Sequence, residues 1–176
     1  MTRYLRIPTP LGPMLLVSDG QALTGAYFSG QKYDATPQSD WIEDASHPVL
    51  ADTRCQLGEY FAGQRARFDL PLHPRGTPFQ SRVWQALLAI PSGETRTYGA
   101  IARAAGEPAA VRAAGAAIGR NPISVIVPCH RVVGADGSLT GYAGGLNRKR
   151  RLLALEASVS TPLLRAQNAE PGVRAA

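Results

Sequence analysis

The sequence predicts an α/β unit with an antiparallel sheet at its N-terminal end, followed by a helical unit that contains a helix-turn-helix. Three observations support this fold class. Short apolar runs alternate with Gly/Pro turns over the first thirty residues, and helical periodicity dominates after residue 78. Residues 1–75 carry seven Lys/Arg and eight Asp/Glu, whereas residues 76–176 carry twelve and five. We therefore expect domains at 1–75 and 76–158 and a disordered tail at 159–176.

The N-terminal unit is expected to be a strand meander followed by one helix. The apolar runs "YLRI", "MLLVS" and "ALTGAYF" are separated by "PTPLGP" and "SDGQ", which are turn sequences. Residues 30–47 are polar and irregular, which predicts a loop. A helix is predicted from Pro48 to Gly63, and Cys55 inside it is expected to be a buried or half-buried packing residue. The stretch "FDLPLHPRGTP" predicts a short strand and then a linker.

The C-terminal unit is predicted to be mainly helical. "PFQSRVWQALLAI" predicts a helix whose apolar stripe comprises Phe79, Val83, Trp84, Leu87 and Leu88. "TYGAIARAAG" and "EPAAVRAAGAAIGRNP" predict two short helices, the second starting at Pro108, joined as a helix-turn-helix. "ISVIV" is β-branched and predicts a buried strand or extended segment. "LNRKRRLLALEAS" predicts a last helix.

Composition limits the classes of function. No stretch approaches the ~20 apolar residues of a membrane span, and the N-terminus lacks a signal-peptide core, so a cytoplasmic location is expected. Two cysteines and three scattered histidines argue against a disulfide framework, a zinc site or any other metal. Nearly all the positive charge is arginine, which favours phosphate contacts and suggests a nucleic-acid partner. A composition bias towards Ala and Arg is the alternative explanation.

The stretch "VPCHRVV" places Cys129 directly before His130. A neighbouring base raises the thiolate fraction of a cysteine, and an acid that orients the imidazole would complete a relay. The C-terminal half offers five acids: Glu94, Glu107, Asp136, Glu156 and Glu170. Glu156 is favoured because its helix can pack on the core. The alternative is a cysteine that is simply buried.

The helix "AAVRAAGAAIG" is nearly all Ala and Gly around Arg112. Small side chains would let this helix enter a minor groove only ~6 Å wide, where Arg112 could take the place of an extruded base. An Ala-rich packing helix with a solvated arginine is the competing interpretation. The run "NRKRR" at the start of the last helix opposes the helix dipole, so it indicates either an anionic partner or a solvated basic turn.

These motifs, with "GYAGGLNRKRRLLALE" and "TPLGPMLLV", closely resemble the O6-alkylguanine-DNA alkyltransferases, also called methylated-DNA–protein-cysteine methyltransferases. The resemblance covers residues 1–158 and is strongest over 79–156. It implies a ribonuclease H-like N-terminal domain and a winged-helix-like C-terminal domain. It further implies a monomer without cofactor that binds double-stranded DNA by the minor groove, with cooperative assembly on DNA left open. O6-alkylguanine would be flipped out and its alkyl group transferred irreversibly to a cysteine, with O4-alkylthymine left open as a second substrate.

The resemblance also assigns catalytic roles. Cys129 matches the acceptor thiol, and His130 matches the base that acts through a water and is oriented by Glu156. Asn121 matches the hinge asparagine between the helix-turn-helix and the site. Tyr98 matches the tyrosine that binds the guanine and protonates it as a leaving group.

Two further sets of residues are carried over from the family. The DNA-binding set is Arg112 as the finger residue, with Tyr98, Ala113 and Ala116. The substrate-pocket set is Tyr142, the backbone carbonyl of Val132 and the backbone N–H of Ala143. Ala143 stands where the family often has serine, so only a backbone role survives there. Metal ligands seen near the N-terminus of some members have no cysteine counterparts here.

Three other classes of protein compete with this interpretation. A lesion-binding relative without transfer chemistry would lack the acceptor cysteine, so Cys129 argues against it. A Cys–His hydrolase would turn over many times and needs no basic DNA face. A helix-turn-helix regulator would need an operator and usually a dimer. Single-turnover labelling of Cys129 separates all three from the main interpretation.

Overall fold

The computed structural model describes residues 1–159 and begins with a four-stranded sheet in the order β3-β2-β1-β4. Strands β1 (Arg3–Ile7), β2 (Met14–Ser18) and β3 (Leu23–Phe28) are antiparallel neighbours, as predicted. The two-residue strand β4 (Ile42–Glu43) runs parallel to β1 inside the segment expected to be a loop. Both of its residues are exposed, so the sequence contains no alternation of buried apolar and exposed polar side chains that could have predicted this strand.

Helix α1 (Pro48–Phe61) packs on this sheet, with Pro48 at its first turn. Its buried side chains are Leu50, Thr53, Gln56, Leu57 and Tyr60. The expectation that Cys55 is a packing residue is wrong, because its side chain is exposed. Five positions after Leu50, it falls on the opposite side of the helix from the buried stripe. The predicted strand near residue 70 is reduced to a single bridge between Leu23 and Leu72.

The C-terminal half is built on α2 (Pro78–Leu88), α3 (Tyr98–Ala104) and α4 (Val111–Gly119). Trp84 of α2 is buried and donates from Nε1 to the Ala117 carbonyl of α4 at 2.9 Å. Of the predicted stripe, Val83, Trp84 and Leu87 are buried. Leu88 is 39% exposed.

Helices α3 and α4 pack against each other as a helix-turn-helix. Gly106 has φ +82° in the turn between them, a backbone conformation that favours glycine. The predicted start of the second helix at Pro108 is three residues early. Residues 108 and 109 lie in a turn, where the Ala110 N–H donates to the Glu107 carbonyl at 2.9 Å.

The segment "ISVIV" is buried as expected, but it is not a strand. Ile123 makes one bridge to Ala26 of β3, and Val125 has φ +72°. A β-branched residue rarely adopts this left-handed conformation, so composition favoured the wrong backbone here. Ile123, Val125 and Val127 are each 0% exposed and belong to one core with residues of the sheet and the helices. This segment therefore joins the two halves.

The chain then forms a 3-10 turn (Cys129–Arg131), β6 (Val132–Val133) and the last helix, α5 (Leu146–Ser158). β6 pairs in parallel with β5 (Arg96–Thr97). The expected disordered tail beyond residue 159 lies outside the described residues. Within residues 1–159, every helix is too short or too polar to cross a membrane.

The basic start of α5 is only partly solvated. Arg148 donates from Nε to the Leu11 carbonyl at 2.8 Å and from Nη1 to the Gly144 carbonyl at 3.1 Å. Its guanidinium lies 4.6 Å from the centre of the Phe28 ring. Lys149 is fully buried. Arg148 thus ties α5 to the turn between β1 and β2, which explains why that turn contains Gly12.

Substitution of Gly12 by alanine is expected to destabilise the fold more than substitution of Gly20. Both glycines have positive φ, +111° and +103°, so each substitution strains the backbone by about 1–3 kcal/mol. A Cβ on Gly12 would also lie 3.0 Å from Arg148 Nη2, whereas one on Gly20 meets nothing closer than 3.8 Å. Displacing Arg148 should cost about 1 kcal/mol more. Urea denaturation of both variants measures the free energy of unfolding. Equal decreases in the two variants would mean that the Arg148 side chain moves aside at no cost.

Candidate active site

Cys129 opens the 3-10 turn that follows Pro128, and its side chain is only 5% exposed. The Asn121 amide donates from Nδ2 to Cys129 Sγ at 3.1 Å and to the Val127 carbonyl at 2.8 Å. Its Oδ1 accepts from the Ile123 N–H at 3.0 Å. Since Asn121 directly follows the capping residue of α4, one side chain connects the second helix of the helix-turn-helix to the sulfur.

Glu156 of α5 is the centre of a buried charged cluster. Its Oε1 lies 2.7 Å from His130 Nε2. Arg131 donates to both carboxylate oxygens, from Nη2 to Oε1 at 2.8 Å and from Nε to Oε2 at 3.0 Å. The Tyr60 hydroxyl of α1 donates to Oε1 at 2.7 Å. Burial alone would raise the pKa of Glu156, but His130 and Arg131 outweigh it and lower that pKa, so the carboxylate is ionised.

The Glu156 carboxylate determines which nitrogen of His130 carries the proton. A carboxylate can only accept, so the proton resides on Nε2 and the lone pair on Nδ1. Burial lowers the pKa of His130, although Glu156 opposes that shift, and the imidazole is neutral. Nδ1 is buried and has no hydrogen-bond partner among residues 1–159. His130 is therefore arranged as a base that accepts at Nδ1.

The environment of Cys129 works in two directions. Burial raises the pKa of the thiol, while the Asn121 hydrogen bond and the charge of Lys149 lower it. At rest the sulfur is a thiol, and removing its proton needs a base. Once formed, the thiolate is stabilised by the Asn121 donor and by the nearby ammonium of Lys149.

Lys149 also holds the turn that forms one wall of the site. Its Nζ donates to the carbonyls of Val132, Thr140 and Gly141, at 2.5, 2.7 and 3.2 Å. The Lys32 N–H donates to the Ala143 carbonyl at 3.0 Å. Arg148 donates to the Gly144 carbonyl. The carbonyls of residues 140, 141, 143 and 144 therefore all accept hydrogen bonds from a cationic side chain or from the Lys32 N–H. The Val132 carbonyl assigned from the resemblance thus already accepts one hydrogen bond and retains a second lone pair.

The remaining site residues divide between this wall and the helices. The Tyr142 hydroxyl is buried and has no partner among residues 1–159. The Tyr98 hydroxyl donates to the Thr140 carbonyl at 3.3 Å and accepts from Thr140 Oγ1 at 3.2 Å. A Cβ on Gly115 of α4 would lie 3.7 Å from the Tyr98 ring, so this ring packs beside α4.

The exposed face of α4 carries Arg112, Ala113 and Ala116. The structure gives Arg112 no contact with Cys129 or His130, so it is not part of the buried cluster. Within residues 1–159, no group of three or more His, Cys, Asp or Glu side chains could hold a metal ion. The groups beside Cys129 are a base, His130, and a hydrogen-bond donor, Asn121, which suit displacement by sulfur.

Sequence reasoning missed Tyr60, Arg131 and Lys149 as members of the site. Arg131 follows His130 in the central motif and Tyr60 lies in a predicted helix, but no sequence pattern connects either residue with Glu156. Lys149 lay inside a run that indicated a solvated or DNA-facing surface. One signal was available, because Lys149 is one of only two lysines in an arginine-rich chain.

Two family descriptions match the chain. Residues 2–74 match the "6-O-methylguanine DNA methyltransferase, ribonuclease-like domain", and residues 78–158 match the corresponding "DNA binding domain". The chain is 51% identical over 158 residues to a methylated-DNA–protein-cysteine methyltransferase of Mycobacterium bovis, covering 90% of this chain and 94% of that one. It is 50% identical over 156 residues to a protein of the same name from Methanosarcina acetivorans, covering 88% and 98%. A crystal structure of Mycobacterium tuberculosis OGT in complex with DNA is 49% identical, with a TM-score of 0.82 over 92% of this chain and 97% of that one.

The buried His130 predicts a specific acid sensitivity. Its pKa is lowered in the folded protein, so only the unfolded chain binds a proton there as pH falls below about 6.5. The free energy of unfolding should therefore decrease below that pH, and again below about 4.3, where unfolded Glu156 takes up a proton. Urea denaturation between these two pH values should show a smaller decrease for His130→Gln than for the wild type. An unchanged decrease in His130→Gln would contradict the buried neutral imidazole.

Proposed function

The chain belongs to the 6-O-methylguanine DNA methyltransferase family, and from this membership and the site geometry we propose that Cys129 removes the alkyl group from O6-alkylguanine in DNA. The observation that carries the assignment of Cys129 is its buried thiol, which accepts a hydrogen bond from Asn121 and directly precedes the His130–Glu156 pair. The repair is direct, because the alkyl group leaves the base and no nucleotide is excised.

The first step is presentation of the base. Helix α4 enters the minor groove, where its small exposed residues Ala113 and Ala116 allow close approach. Arg112, exposed on the same helix, fills the space of the flipped nucleotide. A DNA complex of the M. tuberculosis relative supports DNA as the partner. The flipped guanine is held by the Tyr142 ring, the second lone pair of the Val132 carbonyl and the Ala143 N–H.

The second step creates the nucleophile. His130 Nδ1 takes the proton of the Cys129 thiol through a bridging water, and Glu156 stabilises the imidazolium that forms. Asn121 and Lys149 stabilise the thiolate. Burial of the sulfur, which raises its pKa at rest, also removes competing solvation from the ion that attacks.

The third step is an in-line displacement at the alkyl carbon. A sulfur–carbon bond forms while the bond between that carbon and guanine O6 breaks, and its electron pair passes to the guanine. The Tyr98 hydroxyl donates the proton that makes guanine a better leaving group. The product is a thioether at Cys129, which has neither a proton to lose nor a good leaving group. Each molecule therefore acts once.

The proposal extends to the oligomeric state, the cofactor requirement, the location and the domain division of the protein. Every group of the site comes from one chain, which supports a monomer before DNA binding, with cooperative assembly along one duplex as a further expectation. No cofactor takes part in the displacement. Two free cysteines and a DNA substrate support action in the cytoplasm. The division into residues 1–75 and 76–158 follows the change in charge and the start of α2.

We expect one equivalent of duplex containing O6-methylguanine to methylate Cys129 completely and Cys55 not at all. Cys55 is the more exposed thiol, but the only base beside it is the Glu59 carboxylate, 3.7 Å from its Sγ, and a carboxylate is a weaker base than an imidazole. Peptide mass spectrometry should find a single added methylene on the Cys129 peptide, and none after exposure to undamaged duplex. Cys55→Ser should react like the wild type, and Cys129→Ser should not react. Methylation of Cys55 instead, or several turnovers per molecule, would refute the assignment.

Arg112→Ala should impair extrusion of the damaged base more than binding to undamaged duplex. The finger contributes only when a nucleotide leaves the stack, so its loss raises the cost of flipping by roughly a few kcal/mol. Single-turnover transfer at saturating duplex and anisotropy with undamaged duplex measure the two effects. The exposed Arg103 of α3 is the matched control, since Arg103→Ala removes the same charge without touching the stack. Equal effects of Arg112→Ala on both measurements would reject the finger role.

A further inference from the structure

We propose that Lys32, Tyr33 and Arg120 form a phosphate-binding patch through which the N-terminal half contacts the DNA backbone beside the flipped base. The proposal rests on the proposed function, because it assumes that DNA lies against α4. It assigns DNA contact to the ribonuclease-like half as well as to the helix-turn-helix. It also gives a role to two cations that the transfer reaction does not use.

The patch has the composition of an anion site. The guanidinium of Arg120 lies 4.0 Å from the centre of the Tyr33 ring, and Lys32 Nζ lies 5.0 Å from the same point. Lys32 and, to a smaller extent, Arg120 lower the pKa of the Tyr33 hydroxyl, as two cations at these distances should. An ammonium, a guanidinium and a hydroxyl thus lie together on an exposed surface, and all three are donors to phosphate.

The two cations lack a partner of opposite charge. Neither Lys32 nor Arg120 makes an ion pair with a carboxylate of residues 1–159. The nearest acid in sequence is Asp34, whose oxygens accept from the Gly30 and Ala35 N–H groups at 2.9 and 2.8 Å. Two positive charges at one ring repel each other, so an anion bound between them would be stabilised.

The backbone of this loop is held in a form that brings the Tyr33 ring close to both cations. Tyr33 has φ +60°, a left-handed conformation that is uncommon outside glycine. Gln31, two positions before Tyr33, is buried and accepts at Oε1 from the Phe28 N–H at 2.8 Å and from the Ser124 hydroxyl at 3.2 Å. The Lys32 N–H donates to the Ala143 carbonyl. A strained residue fixed by its neighbours on both sides points to a role for its side chain.

The position of the patch matches a DNA duplex on α4. Arg120 follows Ala113 and Ala116 at the spacing i, i+3, i+7, so it extends their exposed face by one turn. It also directly precedes Asn121, whose side chain donates a hydrogen bond to Cys129. The Lys32 N–H donates to the carbonyl of Ala143 in the pocket wall. The patch therefore lies at the junction of the second helix of the helix-turn-helix and the mouth of the site, where a phosphate next to the flipped nucleotide would pass.

The test is the salt dependence of binding by the full chain to duplex containing O6-methylguanine, followed by fluorescence anisotropy. Each lost phosphate contact should reduce the slope of log affinity against log salt by about 0.9. We expect a reduction of about 1 for Lys32→Gln and for Arg120→Gln, similar for damaged and undamaged duplex. Arg120→Lys keeps the charge and should keep the wild-type slope. Arg54→Gln, at an exposed arginine of α1, removes an equal charge and should also leave the slope unchanged.

Transfer rates separate the patch from the catalytic machinery. At saturating damaged duplex, Lys32→Gln and Arg120→Gln should methylate Cys129 at the wild-type rate, while the duplex concentration for half-maximal rate rises. Wild-type slopes in both variants, an equal loss in Arg54→Gln, or a lower rate at saturation would each overturn the patch. Failure of the wild type to methylate Cys129 would instead overturn the proposed function, so the two outcomes are distinguishable.

Discussion

The site depends on one buried carboxylate. Glu156 accepts hydrogen bonds from Tyr60 of α1 and Arg131 of the 3-10 turn, and it pairs with His130. A buried carboxylate is costly unless its charge is paired and its lone pairs are satisfied. Here an arginine balances the charge, which allows His130 to be neutral. The acid therefore serves the fold through Arg131 and Tyr60, and the chemistry by fixing the imidazole tautomer.

A second constraint is the way the pocket wall is held. Residues 140–144 have little secondary structure, and their carbonyls accept from Lys149, Arg148 and the Lys32 N–H. These donors come from the last helix and from the N-terminal loop. The wall is thus a loop whose geometry is set by rigid elements on two sides, which is how a precise pocket is built from irregular chain. The same contacts make the N-terminal half a structural part of the site.

Regular elements and the central motif could be predicted from the sequence, because each has a local signal. Three strands, α1, α2 and α5 follow from periodicity and turn residues, and the Cys129–His130 stretch pointed to the chemistry. The backbone of "ISVIV" could not be predicted, since a turn in which the Val127 N–H donates to the Ile123 carbonyl at 3.0 Å overrides the strand preference of valine and isoleucine. The strand β4 has only two residues, both exposed, so it has no hydrophobic periodicity from which a strand could be predicted.

The charged residues of the site were harder to assign than the cysteine. Lys149 belongs to a run of positively charged residues that look equivalent in the sequence. In the structure Lys149 is buried and Arg148 is half-buried, whereas Arg150 is exposed. Only the packing of α5 decides which is buried. The contact between Tyr60 and Glu156 joins positions 96 residues apart, and a single sequence carries no signal for it.

That long separation affects when the protein becomes reactive during its synthesis. A chain still on the ribosome contains Cys129 before Glu156 has been translated, and the imidazole of His130 then lacks the group that orients it. The thiol therefore behaves as an ordinary cysteine until the C-terminal helix emerges and docks. A copy of the protein therefore cannot take an alkyl group from a flipped base until its last helix is in place.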